Sequence, residues 1–368
     1  MRDGLTECSW VHGANGMGEL PRGPKCMSRR RCLRRIAAAA TAGGLAGCQV
    51  GTDSEVVVYC ALDNDFADPI LTRFQQQSGI LVRSKYDVES NKTVGLVNRL
   101  LLEGKRPRCD VFWNNEIVHT LRLVEKGLTA GCPIPGIEGI PTNYRSAEGH
   151  WYGLAARARV LLVHRELLPQ PQWPRSIHDL VRPEWRGKVG IAKPLFGTTA
   201  SHAAALFTHW GQQKATSFFR DLKKNVVVLP GNKQVAQAVS HGRLLFGLTD
   251  TDDAIIEREQ GAPVEIVFPD QRAGEMGTLF IPNSLCVIDR GPNPQNARQL
   301  LKYLLSPEVE TSLAEGPSGQ FPVNQDLRVR SRVDPGEGIN WMDTDFNRVS
   351  HQWNTVAGIL RDLFAVVE

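Results

Sequence analysis

Apolar residues follow two alternating patterns along this chain once the first fifty residues are passed. The segment Glu55–Cys60 is a run of β-branched residues that predicts a buried strand, and Phe66, Ile70 and Phe74 then recur at helical spacing until Gly79. The strand-then-helix order repeats twice more before residue 130. Such an order predicts a parallel sheet with helices on its faces.

A long apolar segment divides the chain. Trp151–His164 predicts an extended strand that crosses from one lobe to another, and a second series of strands and helices follows between residues 188 and 268. Thr278–Ile288 predicts a return crossing and Asn354–Val367 an amphipathic C-terminal helix. The pattern therefore predicts an α/β fold of two lobes, which suits a chain of 368 residues. A ligand would bind between the lobes, at the carboxyl ends of the strands.

Charge is distributed unevenly in a chain whose composition is otherwise that of an ordinary globular protein. The net charge of +4 hints at an acidic partner, but residues 1–47 hold eight of the 43 Lys and Arg residues and three of the 39 Asp and Glu residues. The remainder has 35 basic and 36 acidic side chains, a net charge of −1. The basic excess belongs to the N-terminal segment, so nucleic acid is not an expected partner.

The N-terminal segment has the pattern of an export signal. A basic stretch that starts at Met27 precedes a run of small and apolar residues, Ile36–Gly47, which ends at Cys48. That run is too short to span a bilayer. Leu45–Cys48 resembles a bacterial lipobox, so Cys48 is the expected lipidation site, and Ser28–Arg34 resembles a twin-arginine signal.

We accordingly predict an export leader over residues 1–47 and a lipid-anchored tether over 48–54, which would place the protein in the periplasm or cell envelope. Residues 1–26 either precede the true start or form an extension. The alternative is a basic, Ala-rich tail that ends in an incidental cysteine. The later cysteines at positions 60, 109, 132 and 286 lack metal-finger or CxxC spacing, and both buried thiols and a disulfide stay open for them.

Seven segments together resemble one protein family. They are Val56–Tyr59, Phe74–Ile80, Asp110–Glu116, Trp185–Val189, Pro194–Ala200, Gly247–Asp253 and Tyr303–Glu308. In combination they are similar to the bacterial extracellular solute-binding proteins of ABC importers (family 1, type II), above all the ferric-iron-binding branch. The likeness covers residues 55–325.

The resemblance implies a type II periplasmic-binding-protein fold, in which two mostly parallel sheets flanked by helices are joined by crossing hinge strands. Lobe 1 would comprise 54–156 and 281–330, lobe 2 would comprise 157–280, and 331–368 would form a C-terminal helical segment. It further implies a monomer that captures ferric iron or a small anionic solute and delivers it to a permease with its ATPase subunits. Fe³⁺ would then be cargo, and no other cofactor is expected.

One feature departs from the ferric-binding pattern. Those proteins usually hold iron through two adjacent tyrosines after a second-lobe strand, and the corresponding loop here reads Thr249-Asp250-Thr251-Asp252-Asp253. The five tyrosines of the chain are never adjacent. Iron would therefore need carboxylates or a chelating anion in place of tyrosinate.

Two groups of residues suit an anion. Thr198 and Thr199 stand at a predicted helix start, where unpaired N–H groups and partial positive charge favour negative ligands, and Asn232 opens a further helix. Arg157 and Arg159 alternate on the crossing strand, so both face the same way and can form a fork for carboxylate or phosphate. Helix capping by the threonines and a structural bridge by one arginine are the alternatives.

Acidic and amide residues follow several predicted strands. Thr249, Asp250 and Asp252 would contact a hydroxylated ligand, or the two carboxylates would hold a hard cation, and capping of the next helix is the alternative. The same position after other strands makes Asn114, Asn115, Glu116, Asp63 and Thr93 further candidates for ligand contact.

Catalytic signatures are missing from the sequence: it contains no GxSxG elbow, P-loop, helix-opening GxGxxG or HExxH motif. We therefore predict a binding protein and not an enzyme. The alternative from another class is an exported enzyme on the same two-lobed scaffold. Of the histidines, His202 near a helix start is the one that merits testing.

Overall fold

A computed structural model describes residues 54–87 and 93–364 of the chain. The predicted leader and Cys48 lie outside this part. Its strands are β1 (Glu55–Cys60), β2 (Leu81–Tyr86), β3 (Val111–Asn114), β4 (Thr129–Ala130), β5 (Tyr152–His164), β6 (Val189–Ala192), β7 (Val227–Leu229), β8 (Phe246–Asp250), β9 (Val264–Val267) and β10 (Phe280–Ile288). Its α-helices are α1 (Asn64–Ser78), α2 (Val94–Glu103), α3 (Val118–Glu125), α4 (Gly197–Trp210), α5 (Gln212–Asn225), α6 (Asn232–Ser240), α7 (Thr251–Glu259), α8 (Pro294–Leu304), α9 (Pro307–Glu315) and α10 (Phe346–Phe364).

All ten strands join one mixed sheet, in which two long strands connect two parallel sets. The order is β2-β1-β3-β10-β5-β8-β6-β7, with β4 beside β10 and β9 beside β5. Strands β1, β2 and β3 are parallel, as are β6, β7 and β8, whereas β10 and β5 run antiparallel to their neighbours. The predicted crossing strands are therefore confirmed as β5 and β10, and the fold is the two-lobed type II arrangement.

An irregularity lies where the crossing strands meet. The register of β5 and β10 shifts between Pro282 and Asn283, and Ala155 in β5 has a φ of 38°, which non-glycine residues rarely adopt. The Asn283 side chain donates to the backbone carbonyls of Leu154 (3.1 Å) and Ala155 (2.9 Å). This bulge sets the direction of β5 immediately before Arg157.

The core occupies both faces of the sheet. Alternate residues of β1 enter different apolar clusters, Val56 and Val58 on one face and Tyr59 on the other, as the period of two in a strand requires. Helix α10 packs on the second of these faces against α3, α4 and α5, so it spans both halves of the sheet. Its start at Phe346 corrects the predicted start at residue 354, because buried Phe346 and Val349 extend the apolar face toward the N-terminus.

No helix in the described part of the chain is long and apolar enough to cross a membrane. The four later cysteines are all buried, and Cys109, Cys132 and Cys286 are thiols without a disulfide. For these three residues, the structure selects the buried-thiol alternative.

Candidate functional site

Strand β5 carries both arginines into the region where the two parallel sets of strands face each other. Arg157 is only 2% exposed, and its Nε donates to Asp252 Oδ2 at 2.9 Å. Its other two nitrogens donate to the Asn115 carbonyl and to Asn283 Oδ1 (3.0 Å). Burial alone would lower the pKa of Arg157, but Asp252 and Asp250 outweigh it and raise that pKa. Arg157 is thus a permanent buried cation with contacts on both sides of the cleft.

Arg159 is fully buried and makes its contacts within the second parallel set. Its Nη1 donates to Asp250 Oδ1 at 2.6 Å, to Asn232 Oδ1 at 3.1 Å and to Thr198 Oγ1 at 3.3 Å. Arg159 and Asp250 stand opposite each other in the β5–β8 ladder, so the ion pair is also a cross-strand pair. Its Nε and Nη2 have no hydrogen-bond acceptor among the described residues.

A hydrogen-bonded cluster joins the start of α4 to the end of β8. Thr198 donates its hydroxyl to Asp250, and the Asn232 amide donates to Asp250 Oδ2 and Thr198 Oγ1, both at 2.9 Å. Thr199 donates to Asn232 Oδ1 at 3.0 Å. Thr249, in contrast, donates to the Asn232 backbone carbonyl and holds the start of α6 in place. The predicted second-half residues are therefore brought together.

Asn114 and Glu116 turn away from this cluster. Both are fully buried, and Glu116 accepts hydrogen bonds from Asn114 Nδ2, Ser201 Oγ and the backbone N–H groups of Val118 and His119. Burial would raise the pKa of Glu116, but the interaction with His119 and these hydrogen bonds lower it. The bond from Ser201 of α4 makes Glu116 a link between the halves, behind the cleft.

A small cavity lies in front of Arg157. Its volume is about 20 Å³, room for roughly one water molecule. It is lined by Leu62, Asp63, Asn115, Arg157, Ala192, Lys193, Phe196, Gly197, Thr198, Thr199, Pro230, Gly231, Asn232, Asp250, Asp252 and Asp253. The side chains of both halves nearly fill the cleft, so a ligand larger than water requires them to separate.

The lining differs in part from the sequence prediction. Of the residues predicted to bind ligand, seven line the cavity and five stand behind it. The lining residues are Asp63, Arg157, Thr198, Thr199, Asn232, Asp250 and Asp252, and those behind it are Asn114, Glu116, Thr93, Thr249 and Arg159. Thr93 donates its hydroxyl to Asn115 Oδ1 and so supports the lining from behind. Asn115, predicted together with Asn114 and Glu116, also lines the cavity. Lys193 was missed as a site residue, although it follows the carboxyl end of β6, which is the signal that was available.

Three carboxylates form a possible cation site. Oxygens of Asp250, Asp252 and Asp253 all lie within 4.8 Å of one another, a spacing that a hard cation can bridge. Two of the three already pair with arginines. A cation would therefore compete with Arg157 and Arg159 for these oxygens.

Neither a tyrosine nor a histidine of the described residues lines the cavity. None of the five tyrosines of the chain is among its lining residues. His202 is buried in α4 behind the lining, and burial together with nearby Arg159 holds its pKa well below the usual value. It is therefore neutral at physiological pH.

Comparison with known proteins identifies relatives along most of the chain. The sequence profile of the bacterial extracellular solute-binding proteins matches residues 118–349. The Fe(3+)-binding periplasmic protein of Serratia marcescens is 27% identical over 53% of this chain, and the match spans only 56% of that relative's own length.

Solved structures share the fold over a larger part of the chain. Iron-bound HitA from Pseudomonas aeruginosa superposes with a TM-score of 0.76 at 20% identity, covering 84% of this chain and 99% of HitA. AfuA from Actinobacillus pleuropneumoniae with exogenous fructose-6-phosphate also gives a TM-score of 0.76 at 20% identity, covering 85% and 99%. At this identity the likeness concerns the fold.

Proposed function

The chain belongs to the bacterial extracellular solute-binding proteins, and from this premise we propose that it is the ligand-capturing component of an ABC importer. It closes on its ligand between the two halves of the sheet and delivers it to a permease with its ATPase subunits, without chemical conversion. It acts in the periplasm as a monomer, anchored to the membrane through lipidated Cys48. The predicted division into lobe 1 (54–156 and 281–330) and lobe 2 (157–280) forms part of this proposal.

The proposed ligand is a small organic anion that carries a phosphate, phosphonate or carboxylate group. The observation that supports it is that Arg157, Lys193 and the first turn of α4 face the same cavity. Each nitrogen of Arg157 makes one hydrogen bond within the protein, which leaves one N–H on each Nη to bind such a group. The start of a helix adds backbone donors and partial positive charge. The hydroxyls of Thr198 and Thr199 already donate to Asp250 and Asn232, so they would join this set of donors by exchanging those bonds for bonds to the ligand.

The acidic residues in the lining suit the part of the ligand that does not carry the anionic group. Asp63, Asp252 and Asp253 line the same cavity and are hydrogen-bond acceptors when ionised. They suit hydroxyl or amino groups on the organic part of the ligand. A sugar phosphate combines both features, and AfuA was solved with fructose-6-phosphate.

Ferric iron with a chelating anion is the second candidate, favoured by the grouping of Asp250, Asp252 and Asp253 and by the iron-binding relatives. An iron site of this kind uses carboxylates, since no tyrosine lines the cavity. Its ferric complex would therefore lack the intense visible charge-transfer band of a tyrosinate complex.

Thermal stabilisation of the purified protein separates the two candidates. Hexose phosphates, alkylphosphonates, citrate and ferric citrate are each added, since a ligand at 100 times its Kd stabilises a binding protein by about 2.7 kcal/mol. We expect stabilisation by a phosphorylated compound without metal, its loss in Arg157→Ala, and its retention in the exposed control Arg220→Ala. Stabilisation by ferric citrate alone would select the iron candidate, and an intense visible band would contradict the carboxylate site.

A further inference from the structure

An exposed patch of leucine and basic residues ends helix α2. Leu102 is 88% exposed, the highest value among the large apolar side chains of the described residues. Around it stand the exposed side chains of Arg99, Lys105, Arg106 and Arg108. We call these five residues the Leu102 patch.

The acidic residue within this segment turns inward. Glu103 accepts a hydrogen bond from Tyr59 Oη at 2.7 Å and another from the Arg108 backbone N–H at 3.1 Å. Glu103 is half-buried, and these bonds direct its charge toward β1. The outer surface that remains is basic with an apolar centre, which fits a partner that presents negative charge above an apolar layer.

The patch lies at the end of the molecule that is far from the cleft. Helix α2 begins beside the cleft, where Thr93 contacts Asn115, and Leu102 follows nine residues later, about 13 Å along the helix axis. The loop after α2 meets the amino end of β1, where the Asp110 N–H donates to the Val57 carbonyl at 2.8 Å. A permease that takes ligand from the cleft is therefore not the partner that this position favours.

The N-terminal chain enters the described structure at the same end. Ser54 precedes β1 and lies six residues after Cys48. Six residues span at most about 20 Å, so a lipid on Cys48 would hold this end of the molecule close to the bilayer.

We propose that the Leu102 patch contacts the headgroups of anionic phospholipids and orients the anchored protein on its membrane. Lys and Arg side chains near an anionic surface each add to binding, and an exposed leucine can enter the boundary between headgroups and acyl chains. The proposal rests on the anchoring that forms part of the proposed function. Its test is made without the anchor, so that failure of one leaves the other standing.

The test uses the chain from Gly51 onward. This part forms one compact unit that contains both apolar clusters, and relatives solved as separate proteins are covered to 98–99% by it, so it folds on its own. Co-sedimentation is measured with vesicles of phosphatidylcholine alone and with vesicles that also contain phosphatidylglycerol, at low and high salt.

We expect binding to the anionic vesicles only, weakened by salt. The triple variant R99E/K105E/R106E should reduce the partition coefficient about tenfold or more. The matched control K214E/R220E/K223E, which changes the same charge on exposed positions of α5, should stay within about twofold of the parent chain. Leu102→Ser should weaken binding at high salt, where the apolar contribution dominates.

Equal binding to both vesicle types, no binding to either, or equal loss in the two triple variants would overturn the proposal. Stabilisation by the cleft ligand is measured on every variant in parallel. Because the patch is remote from the cleft, this stabilisation should be unchanged, so loss of vesicle binding cannot be attributed to misfolding or to loss of the proposed function.

Discussion

The two arginines of β5 are two residues apart and face the same way, yet their surroundings differ. Arg159 stands opposite Asp250 in the last pair of the β5–β8 ladder, and its partners all belong to the second half of the sheet. Arg157 lies beyond that ladder and joins Asp252 of the second half to the Asn115 carbonyl and Asn283 on the other side. One arginine therefore holds a wall of the cleft together, and the other connects its two walls.

The two arginines differ in their surroundings because the neighbouring strand β8 ends between their positions along β5. Because β8 ends at Asp250, Arg157 has no partner residue in β8, although it pairs with Ile281 of β10, and its side chain lines the cavity. From the sequence, both ligand binding and a structural bridge between the lobes were open for this pair. Arg157 bridges the two halves and also lines the cavity, whereas the contacts of Arg159 stay within one half. We therefore propose ligand binding for Arg157 and stabilisation of the second half for Arg159.

The largest expected effect concerns the stability of the cleft wall formed by α4, α6 and β8, which we call the second wall. Arg159→Ala leaves Asp250 buried without its ion-pair partner, which costs about 3–5 kcal/mol in comparable cases. We expect a loss of this size in the free energy of unfolding, measured by urea denaturation. The control is Arg73→Ala, since Arg73 pairs with Glu308 on the exposed surface and such a pair contributes about 0–1 kcal/mol. Equal losses in the two variants would show that Arg159 does not hold this wall together.

A second experiment makes the same conservative change at both arginines. Arg157→Lys keeps the charge but removes the fork, so we expect ligand affinity in calorimetry to fall about tenfold to a hundredfold. Arg159→Lys should lower affinity less and the free energy of unfolding more. The reverse ranking would exchange the roles assigned to the two residues.

The third prediction concerns the helix start within the second wall. Thr198→Val removes the hydroxyl that bonds Asp250 and faces the cavity, and it should lower ligand affinity by about tenfold. Thr208→Val in the same helix is the control, because Thr208 bonds only the Ala204 carbonyl. A similar loss of affinity in both variants would attribute the effect to α4 as a whole.

The smallest effect is a pH dependence that originates behind the second wall. His202 has a lowered pKa in the folded protein, so above the ordinary histidine pKa of about 6.5 it is neutral in both the folded and the unfolded state, and stability is at its full value there. As pH falls below that value, the unfolded state takes up a proton and the folded state does not, so stability is lost until the folded pKa is reached. Below about 6.5, stability should fall by up to ~1.4 kcal/mol per pH unit.

Thermal unfolding from pH 7.5 to 5 compares the parent chain with His202→Gln and His209→Gln. His209 is exposed on the same helix, so its variant should follow the parent. The His202 variant should show a flatter dependence, and identical slopes in all three proteins would contradict a buried neutral His202.

Part of the site could be predicted because it depends on local order along the chain. Thr198, Asn232, Asp250 and Asp63 each follow a strand at its carboxyl end, and all four line the cavity. The same argument selected Asn114, Asn115 and Glu116, but of these three Asn115 alone lines the cavity, and the side chains of Asn114 and Glu116 turn inward. Position after a strand gives the neighbourhood of a residue, whereas the turn that follows gives the direction of its side chain.

Periodicity and composition along the chain were enough to predict the order of strands and helices and the two crossing strands, because both are properties of neighbouring residues. The lack of an adjacent tyrosine pair and the basic excess in residues 1–47 can likewise be read directly from the sequence. Which acid meets which arginine, and how little space the cleft retains, depend on the folded structure. Arg157 and Asp252 are 95 residues apart in the chain. Their contact depends on the register between β5 and β8, which pattern along the chain cannot supply.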